Sequence, residues 1–173
     1  MLIRSTLARR FGTGMMGAIV SVFAVQSSLA TNRTQTDFEL MMTIQENLSQ
    51  AAGCAGIFVN FKGTGLSPQL GVVTGEGSHC AVPDASGTIS APEGTMSLKT
   101  ATGDELRVRF AFHLTPAATQ SVYQMWGTYQ IESATGRYAN AAGRGLMYGL
   151  ERVDLMQGQS GPLMVHAKGT LSY

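Results

Sequence analysis

Charge is scarce in this chain. Only 13% of its 173 residues are Asp, Glu, Lys or Arg, and no basic cluster occurs after residue 30. A basic stripe is the electrostatic footprint of nucleic-acid binding, so its absence excludes nucleic acid as a partner. It also removes support for an anionic membrane surface. Helical periodicity is missing too: after residue 30 no apolar pattern of three- and four-residue spacing lasts beyond a couple of turns. Phe11 to Val25 is mostly apolar but falls short of the roughly 20 residues that cross a bilayer. It is diluted by Gly12, Thr13 and Gly14. Catalytic signatures are lacking as well. There is no G-x-G-x-x-G opening a helix, no P-loop and no H-E-x-x-H, and neither Ser160 nor Ser172 sits in a nucleophile elbow. No catalytic residue is assigned on this basis, and no cofactor is expected.

Cysteine is nearly absent. The two present, Cys54 and Cys80, are too far apart for a C-x-x-C ligand pair, and His79, His113 and His166 form no close cluster, so no metal site is expected. An even count in an exported chain points instead to one disulfide between Cys54 and Cys80. Export is read from residues 1–30. Arg4, Arg9 and Arg10 form a basic start, Phe11 to Val25 an apolar middle, and Ser28-Leu29-Ala30 a small-x-small cleavage site. The expectation is a signal peptide over 1–30 and a single β-barrel domain over 31–173, secreted or periplasmic, with no integral membrane span after cleavage. Cleavage removes three of the twelve basic residues and no acidic one, leaving nine against eleven and a formal charge of −2.

What the chain does have is alternation. Leu106, Val108, Phe110 and Phe112 recur at every second position, with Arg107, Arg109 and His113 among the residues between them. The same period runs through Tyr123, Met125, Gly127, Tyr129 and Ile131, through Leu146, Tyr148 and Leu150, and through Leu163, Val165, Ala167, Gly169, Leu171 and Tyr173. Earlier, Phe38, Leu40, Met42 and Ile44 form one such set, and Ala55, Ile57, Val59 and Phe61 a second that ends at Gly63-Thr64-Gly65. A period of two means strands with one buried face. Between Ser67 and Ala91, Gly75, Gly77, Pro83, Asp84 and Gly87 interrupt the pattern. Two short strands are expected there, Leu70 to Val73 and His79 to Val82. Gly94 to Lys99 reads as a further strand. Short glycine-rich breaks favour an antiparallel meander. Eight or nine strands relieve their open edges most simply by closing into an antiparallel barrel, with a β-sandwich as the alternative. The fold class is all-β.

Thr135-Gly136-Arg137-Tyr138-Ala139-Asn140-Ala141-Ala142-Gly143-Arg144-Gly145 resembles the T-G-R-F/Y-A-x-A-x-G-x-G signature of bacterial proteins related to the allene oxide cyclase and dirigent barrel superfamily. Gly94 to Leu98 followed by Thr102 to Leu106 resembles the strand, turn and strand that precede it. Gly169-Thr170-Leu171-Ser172-Tyr173 resembles the closing strand. The likeness, over Gly94 to Tyr173, implies a calycin-like barrel with a lumen. In the plant enzymes of that superfamily the lumen holds a fatty-acid epoxide beside a buried carboxylate. In dirigent proteins it guides phenoxy-radical coupling. No residue here is matched to either carboxylate site.

The expected function is therefore an exported barrel that binds a small hydrophobic ligand or serves a structural or interaction role. The alternative is a cyclase- or isomerase-type enzyme working on a hydrophobic substrate in the lumen. Tyr123, Met125, Tyr129 and Tyr148 are expected to point inward and line a pocket for a small apolar ligand. Arg107, Arg109, His113 and Arg137 are the polar candidates: the first three share the face opposite the aromatic core, and Arg137 is expected to tie down a barrel end through loop carbonyls or an acid such as Glu132. Trp126 falls on the outward face and marks a surface patch, which makes a homo-oligomer the protein partner to consider. Glu132, Glu151 and Asp154, near strand ends, read as solvated charge.

Overall fold

A computed structural model describes residues 34–154 and 159–173; the expected signal segment, residues 1–30, lies outside them. Among the described residues there are nine strands: β1 (Gln35–Ser49), β2 (Ile57–Ser67), β3 (Gly71–Pro83), β4 (Ile89–Thr100), β5 (Glu105–Pro116), β6 (Val122–Ala134), β7 (Ala142–Asp154), β8 (Gln159–Ser160) and β9 (Leu163–Ser172). Each of β1 to β6 pairs antiparallel with the next. β7 pairs with β9 and β9 with β1, which closes eight long strands into a barrel. β8 is a two-residue addition to the end of β7. Closure leaves no long edge exposed, and an eight-stranded barrel is just wide enough to be filled by its own side chains. The sandwich alternative is excluded by the pairing of β6 with β7 and of β9 with β1.

The inward positions carry the alternating sets. Phe38, Leu40, Met42 and Ile44 of β1, Val59 and Phe61 of β2, and Leu106, Val108, Phe110 and Phe112 of β5 are all buried in one core. The sequence expectations fail here first over strand limits. Residues 71 to 83 form one continuous strand, not two short ones. Gly75 and Gly77 continue its inward phase between Val73 and His79 instead of breaking it. β4 likewise starts at Ile89, ahead of the expected Gly94, because the chain absorbs Pro92 at a shift of register between Ala91 and Gly94.

The second failure concerns β7. Leu146, Tyr148 and Leu150 face outward; Leu146 is 61% and Leu150 47% exposed. Met147, Glu151 and Val153 take the buried positions. The reason is volume. Tyr129 and Met125 of β6 point inward and pair across the sheet with Gly145 and Gly149 of β7. A Cβ at Gly145 would meet the Tyr129 ring at 2.7 Å, and one at Gly169, the β9 partner of Gly145, would meet the Tyr129 hydroxyl at 2.6 Å. The glycines of the signature thus make room for a neighbouring ring, which fixes the phase of the strand.

The two ends of the barrel close differently. At one, the 3₁₀ turn Gly136–Tyr138 buries Tyr138, whose hydroxyl donates to the Gln69 carbonyl at 2.7 Å. Arg137 pairs there with Asp104, Nε to Oδ2 3.3 Å, rather than with Glu132, which is held by Arg109 at 2.6 Å. The reason is position: the backbone N–H of Arg137 already donates to Asp104 Oδ1, so the turn brings its guanidinium to the same carboxylate. At the other end the expected disulfide joins Cys54, in the β1–β2 connection, to Cys80 of β3.

Candidate functional site

The disulfide end of the barrel holds what the sequence reading assigned to the surface. Glu46 continues the inward phase of β1 after Met42 and Ile44. Glu151 continues that of β7 after Met147 and is only 3% exposed. Glu151 is therefore not a solvated strand-end charge. Ser160 of β8 lies between the two: its Oγ is 2.6 Å from Glu151 Oε1 and 3.1 Å from Glu46 Oε2. A hydroxyl has one proton to give, so it bridges two carboxyl groups best when one of them is protonated and donates to it. Electrostatics require the same. Burial, and then the neighbouring Glu46 charge, push the Glu151 carboxyl up to about 8. Burial raises Glu46 as well. Two carboxyl groups this close in an apolar setting share a proton rather than both ionise.

His79 of β3 lines the same space. Its ring lies edge-on to Phe112 at a centroid distance of 5.0 Å and to Phe110 at 5.9 Å, with Phe61 at 6.0 Å. Burial depresses it to about 4, so the imidazole is neutral at neutral pH. Among the described residues its Nδ1 has no hydrogen-bond partner. Further along the lumen, Tyr129 is buried over Gly145 and Gly169, its hydroxyl has no partner among the described residues, and burial pushes that phenol up to about 12.

The lumen itself is tight. A cavity of about 50 Å³ runs through the barrel among Phe38, Phe61, Phe110, Phe112 and four methionines, Met42, Met96, Met125 and Met147. A second chamber of about 40 Å³ holds Glu151 and Ser160. Glu46 and His79 belong to the walls of both. The arrangement offers a group entering from the apolar side a neutral imidazole, a shared carboxyl proton and a phenol. The imidazole and the acid pair, which share the smaller chamber, can donate to and accept from one carbonyl or hydroxyl and can hold a proton at neutral pH, whereas Tyr129 lines the main cavity alone.

Of the residues singled out from sequence, the structure gathers Tyr123, Met125 and Tyr129 in the core. Tyr148 stands on the outer face, half-buried, with its hydroxyl 2.6 Å from His166 Nδ1. Arg107, Arg109 and His113 share the outside of β5, where Arg107 lies 3.9 Å from Glu105 and His113 Nδ1 lies 2.9 Å from the Ser90 hydroxyl. None of the three faces the lumen. Glu46, His79 and Glu151 were missed. Only Glu46 carried a signal, as the next step after Phe38, Leu40, Met42 and Ile44; glycines precede His79 and Glu151 on their inward faces and hide the phase.

No family model matches the chain, and no curated protein matches it. Among solved structures it is similar to the pterocarpan synthase dirigent protein GePTS1, at 11% identity over 98% of this chain and 99% of that one, with a TM-score of 0.49. The strand pairings build the closed, eight-stranded antiparallel barrel that the sequence led us to expect. The likeness assigns no role to any residue.

Proposed function

We propose that residues 31–173 form an exported barrel that holds a small, mainly apolar molecule in its lumen without turning it over. One observation carries this reading. Among the described residues, Tyr129 Oη and His79 Nδ1 in a lumen lined largely by carbon and sulfur, and Glu151 Oε2 in the adjoining chamber, are buried without a protein partner. An unpartnered buried polar atom costs on the order of 1 to 3 kcal/mol, and a ligand with one hydroxyl or carbonyl offsets part of that. Tyr123, Met125 and Tyr129 would contact it. The occupant has few heavy atoms, or else displaces the four methionines, whose unbranched thioethers adapt readily to a new shape. Export is supported by the basic-apolar-small order of residues 4 to 30 and by the disulfide, which persists in an oxidising compartment. Among the described residues no helix is long and apolar enough to cross a membrane.

A second reading, a cyclase- or isomerase-type enzyme, is favoured by the acid pair alone. A carboxyl that keeps its proton up to about pH 8 beside an ionised partner can deliver a proton to one atom of a hydrophobic substrate while the partner removes one from another. Native mass spectrometry of the protein purified from its own host tests the first reading. It should find a chain beginning at Thr31 with one small-molecule adduct, lost in Tyr129→Phe/Glu151→Gln. Bare protein throughout would overturn it. An adduct chemically converted during incubation, with conversion lost in Glu151→Gln, would decide for the enzyme.

A further inference from the structure

Every lysine and arginine among the described residues is exposed. Lys62 pairs with Glu76, Arg109 with Glu132 and Arg137 with Asp104, while Lys168 and His166 both meet Glu39. The carboxyl groups inside the barrel have no such partner. Among the described residues, the walls of the two lumenal chambers carry Glu46, His79, Tyr129, Glu151 and Ser160 as their polar side chains, and no lysine or arginine.

That leaves an imbalance of charge. Glu46 and Glu151 hold one proton between them, so the pair keeps one net negative charge, and the His79 ring beside it is neutral. A buried charge without a counter-charge is costly. Donors are short as well. Four carboxyl oxygens, the Ser160 oxygen and one bare imidazole nitrogen stand against the Ser160 proton, the shared proton and one ring N–H. Tyr129 does not redress this, because it lines only the larger cavity. Glu151 and His79 are 3% and 5% exposed, and Glu151 Oε2 and His79 Nδ1 have no partner among the described residues. Both side chains line the chamber of about 40 Å³. A hydroxyl or carbonyl could satisfy one of these atoms. A primary ammonium brings three donors and the missing positive charge together.

Space sets the rest of the molecule. Glu46 and His79 border both chambers, so a head group beside them is continuous with the apolar cavity of about 50 Å³. At roughly 10 to 15 Å³ for each water-sized group, the two volumes accept about six non-hydrogen atoms. Glu46 and Ser160 are half-buried, so a charged head group there keeps part of its hydration.

Resting on the lumenal reading above, we infer that the ligand is a short aliphatic primary amine, bound as its ammonium between Glu46 and Glu151 with its alkyl chain in the apolar cavity. An alcohol of the same length fits the space without answering the charge, and a carboxylate is repelled by it.

The test titrates n-pentylamine, 1-pentanol and pentanoate into the mature protein at pH 7 by calorimetry. The amine and the alcohol have the same number of non-hydrogen atoms and differ only in the head group. The amine should bind roughly tenfold more tightly, the advantage of a charge-assisted hydrogen bond over a neutral one, and pentanoate should not bind. Glu46→Gln/Glu151→Gln keeps the shape of the pair and removes its charge, so it should bring amine and alcohol to equal affinity. Carbon-13 methionine methyl spectra of the unaltered protein give a readout independent of that variant's folding. The amine should shift Met42, Met125 and Met147, which are buried, and leave the exposed Met41 and Met164 unmoved. Equal binding of amine and alcohol by the unaltered protein would overturn the inference and leave the lumenal reading standing. An amine preference that survives in the double variant, or shifts confined to Met41 and Met164, would overturn it too. So would failure of all three compounds to bind, and only bare protein from the host would take the lumenal reading with it.

Discussion

The buried acid pair and the buried imidazole should give this barrel an unusual dependence of stability on pH. Glu151 keeps its proton in the folded chain up to about pH 8, whereas its ordinary value is 4.5. Between those values the folded state binds one proton more than the unfolded state, so stability falls as pH rises, by about 1.4 kcal/mol per unit. Over the whole window that amounts to about 5 kcal/mol, and the upward shift of Glu46 acts in the same direction. His79 works oppositely. Its folded value is about 4 against an ordinary 6.5, so between them the unfolded state binds the extra proton and stability rises with pH. From 4.5 to 6.5 the slopes of Glu151 and His79 cancel, and Glu46 alone adds a fall. From 6.5 to about 8 only the carboxyl acts, and the protein should lose about 2 kcal/mol. Urea denaturation of the mature protein at constant ionic strength, in steps across this range, reads the profile directly. Glu151→Gln, neutral at every pH, should flatten the fall above 6.5. His79→Leu should extend that fall to lower pH. A profile that is level or rising between 6.5 and 8 would refute the reasoning, since it would mean that the pair ionises in the folded chain without penalty.

The disulfide should leave no free thiol in unfolded, unreduced protein, and replacing Cys54 and Cys80 together by serine should lower stability by about 3 kcal/mol in the same urea assay while preserving the β-sheet circular dichroism. Gly145→Ala would push its methyl into the Tyr129 ring and the Lys168 carbonyl. A loss of about 1 to 3 kcal/mol is expected, measured as a lowered urea midpoint.

Much of the barrel was legible because several strands contrast sharply between faces. In β5 the inward set is Leu, Val and Phe and most of the outward set is Arg, His and Thr, so the period of two fixes both strand and phase. β3 was harder. Gly75 and Gly77 read as breaks because glycine usually weakens a strand, yet on the inside of a barrel a glycine adjusts volume, as where the Met42 methyl sits 2.8 Å from a Cβ built at Gly75. The candidate site was hidden by a rule that is sound on average: carboxylates near strand ends are solvated. Glu46 and Glu151 are exceptions because they stand on either side of β9, meet at the Ser160 hydroxyl and can share a proton, and that meeting depends on β9 joining β1 to β7. No local pattern contains it.

β7 shows why the buried acid pair escapes a sequence reading. Its two faces are nearly equal in apolar character: Gly145, Met147, Gly149, Glu151 and Val153 on one, Arg144, Leu146, Tyr148, Leu150 and Arg152 on the other. Shifting the register by one residue would place Tyr148 in the lumen and Glu151 outside, so hydrophobicity alone leaves the choice almost degenerate. Tyr129 and Met125 break the degeneracy from the neighbouring strand, because only the glycine-bearing face leaves room for them. That packing choice buries the carboxyl of Glu151 beside Glu46 and, by the same step, sends Tyr148 out to meet His166. The lumenal acid pair and the outer Glu39–His166–Tyr148 chain are therefore set by one decision about side-chain volume. A substitution that inverted β7 would remove both together.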